Sequence, residues 1–425
     1  MLHYANGSKE NELNDSDLKD GLFQALNMLG AKKKVIAVGP DITRYHSRAG
    51  YLTEMAWEYY GQVLTDVLPA IGTHAPMTPE EMDSMYGKIP HELFRVHDWK
   101  NGLTTLGTVP SSKMRELSEG KLDFEWPAQV DERLVSGGYD LILSIGQVVP
   151  HEVIGMANYT KNLLVGTGGS DGINLSHYLG AVYGMERILG RIDTPVRELM
   201  DYAAENFSDK LPMVIYILTV VSADKDGSLH TRGLFIGDDR ECYEKAARLS
   251  EQVNIFHMEK ALSNVVAYMD PSEYRSTWIG NKAIYRTRMA VADGGKLTVI
   301  APGVKECGEN QQIDRLIKKY GYVGTDKVLK LVEENEDLRN NLGTAAHLIH
   351  GSTEGRFSVT LCPGFLSRDE VESINYTYGD PDEMLRRYTP HEREDGFHRL
   401  PDGEEFYLVK NPALGLWKVK SPETD

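Results

Sequence analysis

Three short clusters hold the side chains of this chain best suited to chemistry. Asp41-Ile-Thr-Arg44 directly follows the apolar run Val35–Val38. A guanidinium there can grip a carboxylate through two parallel N–H donors, and a nearby aspartate can orient it. Taken alone, the pair reads more readily as an ion pair on a surface loop. Gly72-Thr-His-Ala-Pro-Met-Thr-Pro-Glu-Glu81 sets His74 on a turn bounded by glycine and proline. Imidazole titrates near neutrality and suits general acid or base work. Thr78 and Glu81 carry the spacing of a capping box that opens a helix. The third cluster runs from His151 through Lys161 to His177. A lysine facing a half-buried pocket loses its proton more easily and becomes a nucleophile. Between Lys161 and His177, Gly166-Thr-Gly-Gly-Ser-Asp-Gly172 can offer backbone amides to a phosphate, with Gly168, Gly169 and Ser170 closest to the following helix. Each feature also has a plain reading: a flexible glycine turn, a lysine with its head in water, a histidine on a helix face.

These side chains must be held by the ends of regular elements. Lys34–Val38 and Asp140–Ile145 read as strands, and Val214–Val221 as a further one. Thr53–Val67 reads as a helix, and Asn174–Gly190 as another that follows the glycine-rich run. In a second block Lys296–Ala301 and Phe357–Leu361 read as strands. Gln311–Tyr320, Thr325–Glu334 and a segment from Ser367 read as helices, and His391–Glu405 as a surface loop. Glu405–Val409 is strand-like and fits beside either block. Alternation of this kind defines an α/β chain with mostly parallel strands, whose strand ends gather ligands. Two domains are expected, residues 1–262 and 263–425.

Composition narrows the function. The 425 residues are 41% hydrophobic and carry a net charge of −17, from 46 Lys+Arg against 63 Asp+Glu. Such a field repels phosphate backbones and anionic lipid, which argues against nucleic-acid and membrane-surface partners. Cys242, Cys307 and Cys362 are sparse and odd in number, as in a reducing compartment, and no Cys/His spacing suggests zinc. The N-terminal segment is polar and acidic, unlike a signal or transit peptide, and the longest apolar stretch, near Pro212–Val221, falls well short of the about 20 residues of a membrane span. A cytoplasmic protein is expected.

In order along the chain, D-x-T-R, G-T-H-x-P-M-T-x-E-E and H-x9-K-x15-H resemble the nickel-pincer nucleotide-dependent lactate racemase family. The resemblance spans about residues 34–190, with a weaker echo from 296 to 365. It implies two α/β domains with the active site in the cleft between them. It implies a nickel-pincer nucleotide, a pyridinium-3-thioamide-5-thiocarboxylic acid mononucleotide, linked covalently to Lys161, with His177 as the protein ligand of the nickel. It makes His74 and His151 the acid/base pair, one for each stereoisomer, and Arg44, held by Asp41, a substrate contact. It also implies proteins that make the cofactor as partners.

The resemblance weakens where the substrate should be chosen. Thr344 and His347 fall where the family commonly has Gln and Lys, so recognition of the substrate carboxylate must differ. That departure points away from lactate and towards a polyhydroxylated 2-hydroxy acid, an aldonate such as gluconate, with Thr344, His347 and His350 offering hydrogen bonds. The plain reading of these histidines, a helix–strand junction, stands equally. His97, beside Asp98, is read as supporting rather than catalytic, and His46 as a further substrate contact. Two other classes stay open: a nicotinamide-dependent 2-hydroxy acid dehydrogenase, against which stands Gly39-Pro-Asp41 in place of a G-x-G-x-x-G turn, and a cofactor-free sugar-acid binding protein. A metal hydrolase built on His74, His151 and His177 is weaker, since no H-E-x-x-H is present. Oligomeric state is not written in the sequence.

Overall fold

Continuous apolar runs bounded by glycine and proline become buried strands here. The computed structural model describes residues 1–420. The chain forms two compact α/β units. The first comprises Met1–Tyr183, Arg187–Ser222 and Leu229–Val253; the second comprises Gly184–Glu186, Ala223–Ser228 and the chain from Asn254 onward.

The first unit is built from β1 (Leu2–Gly7), β2 (Val35–Val38), β3 (Leu64–Val67), β4 (Leu103–Val109), β5 (Trp126–Asp131), β6 (Leu141–Gln147), β7 (Pro150–His151), β8 (Gly155–Met156), β9 (Met213–Ala223) and β10 (Leu229–Gly237). Its main sheet has the order β1-β10-β9-β6-β2-β3, while β4 pairs with β5 and β7 with β8. β2 runs parallel to both β3 and β6, with Val35 opposite Leu64 and Leu141, and β6 runs parallel to β9. Every residue of β2 and β6 is buried, as expected for parallel strands covered on both faces. Chain order and strand order together create a switch point. From β2 the chain moves outward to β3, then returns as β6 on the other side of β2, so the carboxyl ends of β2 and β6 flank a ready-made crevice.

The helices of this unit are α1 (Asp15–Met28), α2 (Ala49–Tyr60), α3 (Pro79–Tyr86), α4 (Ser111–Leu117), α5 (Glu132–Ser136), α6 (Thr160–Leu164), α7 (Ser170–Tyr183), α8 (Pro195–Phe207) and α9 (Arg240–Asn254). α1 buries Leu18, Leu22, Ala25 and Leu26, and α2 buries Leu52, Met55 and Ala56, in one core with Val35, Ala37, Leu143, Ile145 and Ile217 of the sheet. Those positions recur at helical spacing, which sets the buried stripe of each helix. Thr78 and Glu81 do form the capping box of α3. The expected helix over Thr53–Val67 is corrected: α2 stops at Tyr60, where Gly61 takes φ +54, and Leu64–Val67 is strand β3. Glycine reaches that conformation without a Cβ clash, and the β-branched residues beyond it favour the extended chain. The helix expected over Asn174–Gly190 ends at Tyr183, before Gly184 with φ +111.

The second unit holds β11 (Ile255–Met258), β12 (Leu262–Tyr268), β13 (Val291–Ala301), β14 (Ser358–Pro363), β15 (Thr377–Tyr378), β16 (Gly396–Arg399), β17 (Glu405–Val409) and β18 (Leu416–Val419). Its main sheet has the order β15-β14-β13-β12-β17-β16, parallel except for the β16–β17 pair. Helices Gln311–Tyr320 and Thr325–Glu334 occur with the expected bounds. The segment read as a surface loop, His391–Glu405, instead contributes β16, whose residues alternate between half-buried and exposed at the sheet edge, and β17 lies beside β12. No helix among the described residues is long and apolar enough to cross a membrane.

Candidate active site

The loops after β2, β3 and β6 carry the three clusters, and backbone bonds tie them together. Ala70 N–H donates to Gly39 C=O (2.7 Å), and Gly72 N–H donates to Gly166 C=O (2.8 Å). Asn162, next to Lys161, donates from Nδ2 to Val38 C=O (3.1 Å) and to Ser144 Oγ (2.9 Å). A single amide therefore pins α6 across β2 and β6 where Val38, the last residue of β2, pairs with Ser144, and Lys161 rides on that helix at the switch point.

Asp41 caps the 3-10 turn Ile42–Ser47 and is 5% exposed. Its Oδ1 accepts the Thr43 N–H (3.1 Å) and the Thr43 hydroxyl, and its Oδ2 lies 2.6 Å from His74 Nδ1. Burial pushes the Asp41 carboxyl up, but the bonds and charge of His74, the Thr43 hydroxyl and the charge of Arg44 together hold it below its ordinary value. The expectation that Asp41 grips Arg44 directly is corrected. Both carboxylate oxygens are taken by Thr43 and His74, and Arg44 donates instead to the Thr43 carbonyl (3.2 Å) and hydroxyl (3.4 Å). His74 is 53% exposed at its side chain. With Nδ1–H committed to a carboxylate, its Nε2 carries the lone pair.

His151, on β7, is 8% exposed, and its Nδ1 accepts the Val153 N–H (3.1 Å). The neutral ring then carries its proton on Nε2. The two histidines are thus held in opposite tautomers, one by a carboxylate and one by a backbone amide.

Lys161 is half-buried, and its amine is pulled down from its ordinary range to about 8. Burial dominates, the positive charges of Arg44 and Arg197 add to it, and Glu152 and Asp41 oppose. His177, half-buried in α7, donates from Nδ1 to Ile173 C=O (2.7 Å), which leaves Nε2 free of a proton. Burial and then the Lys161 charge push this imidazole down to about 4, against the Ile173 bond and Glu152, so it is neutral at physiological pH. Lys161 and the neutral His177, which feels the lysine charge, lie within a single unit.

The glycine run has a packing reason. A Cβ on Gly166 would meet Asn162 O at 2.3 Å, one on Gly168 would meet Leu164 O at 2.3 Å, and one on Gly169 would meet Gln129 Oε1 at 2.4 Å. The missing side chains let this loop pack against α6 and β5, and Ser170 then opens α7. His97 fastens the same loop: it is 2% exposed, with Nδ1 3.0 Å from Asp131 Oδ2 and Nε2 3.0 Å from Gly168 C=O. His46 is exposed, its ring edge against Tyr45.

Thr344 and His347 belong to the second unit, on the helix Leu342–Gly351, and are 3% and 5% exposed. His347 stacks on Trp278 at 4.3 Å, and its Nδ1 and Nε2 each lie 2.9 Å from a tyrosine hydroxyl, of Tyr285 and Tyr322. His350 is buried on the same helix. Reading the sequence singled out neither Glu152 nor Arg197, although both act on Lys161. A charged residue inside the buried stripe Val196–Leu199–Met200 of α8 is the signal that marks Arg197. Among the described residues no group of three or more His, Cys, Asp or Glu side chains could hold a metal ion by itself.

An α/β fold with ligand-type side chains gathered at its switch point defines a class of small-molecule site, and comparison with known proteins narrows it. Residues 21–187 match the family model of the lactate racemase N-terminal domain. Residues 21–187 thus carry a lactate racemase N-terminal domain, and the chain is lactate racemase-like over that segment. It is similar to the crystal structure of a protein from Thermotoga maritima (26% identity, TM-score 0.82), over 98% of this chain and 100% of that one. It shares its fold with the lactate racemase apoprotein from Thermoanaerobacterium thermosaccharolyticum (17% identity, TM-score 0.68), over 99% of this chain and 94% of that one. No curated protein matches it.

Proposed function

We propose that this chain is an isomerase, a racemase or epimerase that inverts C2 of a 2-hydroxy acid with a nickel-pincer nucleotide held on Lys161. The observation that carries the reading is the placement of Lys161, with its depressed amine, at the switch point, close enough for its charge to act on His177. The residues fit such a group. Lys161 offers an amine that is in part unprotonated near neutral pH, suited to an amide-type bond. His177 is neutral, with Nδ1 fixed by a backbone carbonyl and Nε2 directed to ligation, the usual arrangement of a metal-bound imidazole. A nickel ion here must bring most of its ligands with it, since the described residues form no metal cage of their own. When bound, the nucleotide supplies a reversible acceptor for the C2 hydrogen as hydride.

The protein's own side chains handle protons and charge. His74 takes the hydroxyl proton at Nε2, and the Asp41 carboxylate steadies the resulting imidazolium through Nδ1. His151 serves the opposite configuration: as imidazolium, with Nδ1–H turned from Val153 N–H towards Glu152 Oε2 (4.0 Å), it gives its Nε2 proton to the C2 oxygen and is left neutral, ready to take the hydroxyl proton in the reverse direction. Arg44, fixed through Thr43, supplies the positive charge that an anionic substrate needs on so acidic a chain. The substrate class proposed is an aldonate such as gluconate rather than lactate.

The test is to give the loaded protein single enantiomers or C2 epimers deuterated at C2 and follow them by chiral chromatography and mass spectrometry. Inversion with retention of the label supports the reading, and exchange of the label with solvent contradicts it. Conversion tied to added nicotinamide would favour a dehydrogenase.

A further inference from the structure

Lys161 follows two residues in an unusual backbone conformation. Asn158 has φ +69, and Tyr159, the N-cap of α6, has φ +60 and ψ −132. Asparagine tolerates the left-handed region, but a tyrosine with that φ and ψ stands where glycine is normally required. Such a turn persists only where its surroundings over-determine it.

Arg197 supplies that constraint. Its side chain on α8 is fully buried. One Nη donates to Met156 C=O (2.8 Å) and Asn158 C=O (3.1 Å), and the other to Thr160 Oγ (2.9 Å). The guanidinium packs over the Tyr243 ring at 4.3 Å, and the Tyr159 ring lies between Tyr243 (5.2 Å, stacked) and Tyr216 (4.3 Å). Thr160 passes the contact on, donating to Asp201 Oδ1 (2.8 Å), whose other oxygen pairs with Arg240 at the start of α9. Met156 pairs with Pro150 in the β7–β8 hairpin, so the same fork also reaches the hairpin that carries His151. The side chain of Asn158 fits against Gly146, where a Cβ would meet its Nδ2 at 2.1 Å.

We propose that Arg197 is a positioning residue for Lys161: its buried fork locks the Asn158–Tyr159 turn and so aims the first turn of α6 and holds it in register with the His151 hairpin. A buried charge is costly unless bonded; Nε has no hydrogen-bond partner among the described residues, and the bonds of both Nη atoms all fall within Met156–Thr160, on either side of the strained turn, so the turn is what this arginine serves. The inference rests on the reading of Lys161 as the attachment residue. Lysine at this position keeps the charge but cannot span three acceptors at fixed angles.

The test uses the full chain with Arg197→Met and Arg197→Lys. Amide exchange is measured on cofactor-free protein, and the fraction of Lys161 modified is measured by intact mass after co-expression with proteins that make the cofactor. Both variants should exchange residues 158–162 about tenfold faster while β2 and β9 keep their protection. The Lys161 adduct should fall by about tenfold, without rescue by lysine. Unchanged exchange at 158–162, or full attachment despite faster exchange, would overturn the proposal, as would full rescue by lysine. Thr160→Val removes one acceptor and leaves Arg197 in place; if the arginine variants do not fold, it should shift both readouts in the same direction, and no shift overturns the proposal. Should wild-type protein carry no adduct while the exchange result holds, the attachment reading fails and the clamp on the turn stands.

Discussion

Asp41 Oδ2 lies 2.6 Å from Nδ1 of His74, across 33 residues of sequence, and so fixes which nitrogen of His74 can take a proton. Asp41→Asn keeps the shape but removes the charge that steadies the imidazolium and lets the amide favour the wrong tautomer. Its kcat should fall by about 10²–10⁴ with little change in KM, measured on protein of equal nickel content. Stability follows the same pair. Asp41 has a depressed folded value, so its contribution is present above the ordinary carboxylate range and is lost as pH falls through the lowered value. Urea midpoints of wild type should therefore drop more steeply in acid than those of Asp41→Asn.

His74 and His151 are held by different partners, a carboxylate and a backbone amide, and their assignment to opposite stereoisomers predicts separable defects. His74→Ala and His151→Ala should each lower full turnover by about 10²–10⁴ and leave the cofactor bound. Each should lose formation of keto acid from one enantiomer in a single turnover while retaining it from the other. Equal loss from both enantiomers in either variant would contradict the division of labour.

His177 predicts a pH signature in cofactor-free protein. Its folded value, about 4, lies below the ordinary 6.5, so as pH falls the unfolded chain binds this proton first. Stability is lost from about pH 6.5 down to about 4. His177→Asn should flatten that part of the profile, read from urea midpoints at each pH, and should release nickel from the loaded protein while the Lys161 adduct persists.

His97 bridges Asp131 and Gly168 with both ring nitrogens. His97→Gln cannot reproduce the bridge and leaves a buried carboxylate short of a partner. The loss should be about 3–5 kcal/mol, seen as a lowered thermal midpoint. Arg133, which also pairs with Asp131, makes the lower end the expected one.

Local features were the legible part of this chain. The Thr78–Glu81 capping box and the amphipathic helices Gln311–Tyr320 and Thr325–Glu334 depend on residues three or four apart, and sequence spacing reports them directly. The apolar strands β2 and β6 were likewise plain. Thr53–Val67 misled because apolar residues keep helical spacing through Gly61, where the backbone turns left-handed. Contacts made by the folded sheet were not legible. The partner of Asp41 could be read as Arg44, three residues on, while the actual partner is brought in by the pairing of β2 with β3. Arg197 is hidden for the same reason, since its acceptors lie about 40 residues earlier in the chain.

The central claim is that Lys161 carries a nickel-binding nucleotide, and intact-protein mass spectrometry with nickel analysis, after co-expression with proteins that make the cofactor, tests it most directly. The account predicts a single adduct mapped to Lys161 with about one nickel per chain, both absent from Lys161→Ala. An unmodified, nickel-free wild-type chain under conditions that load a known lactate racemase, or the same adduct on Lys161→Ala, would contradict it.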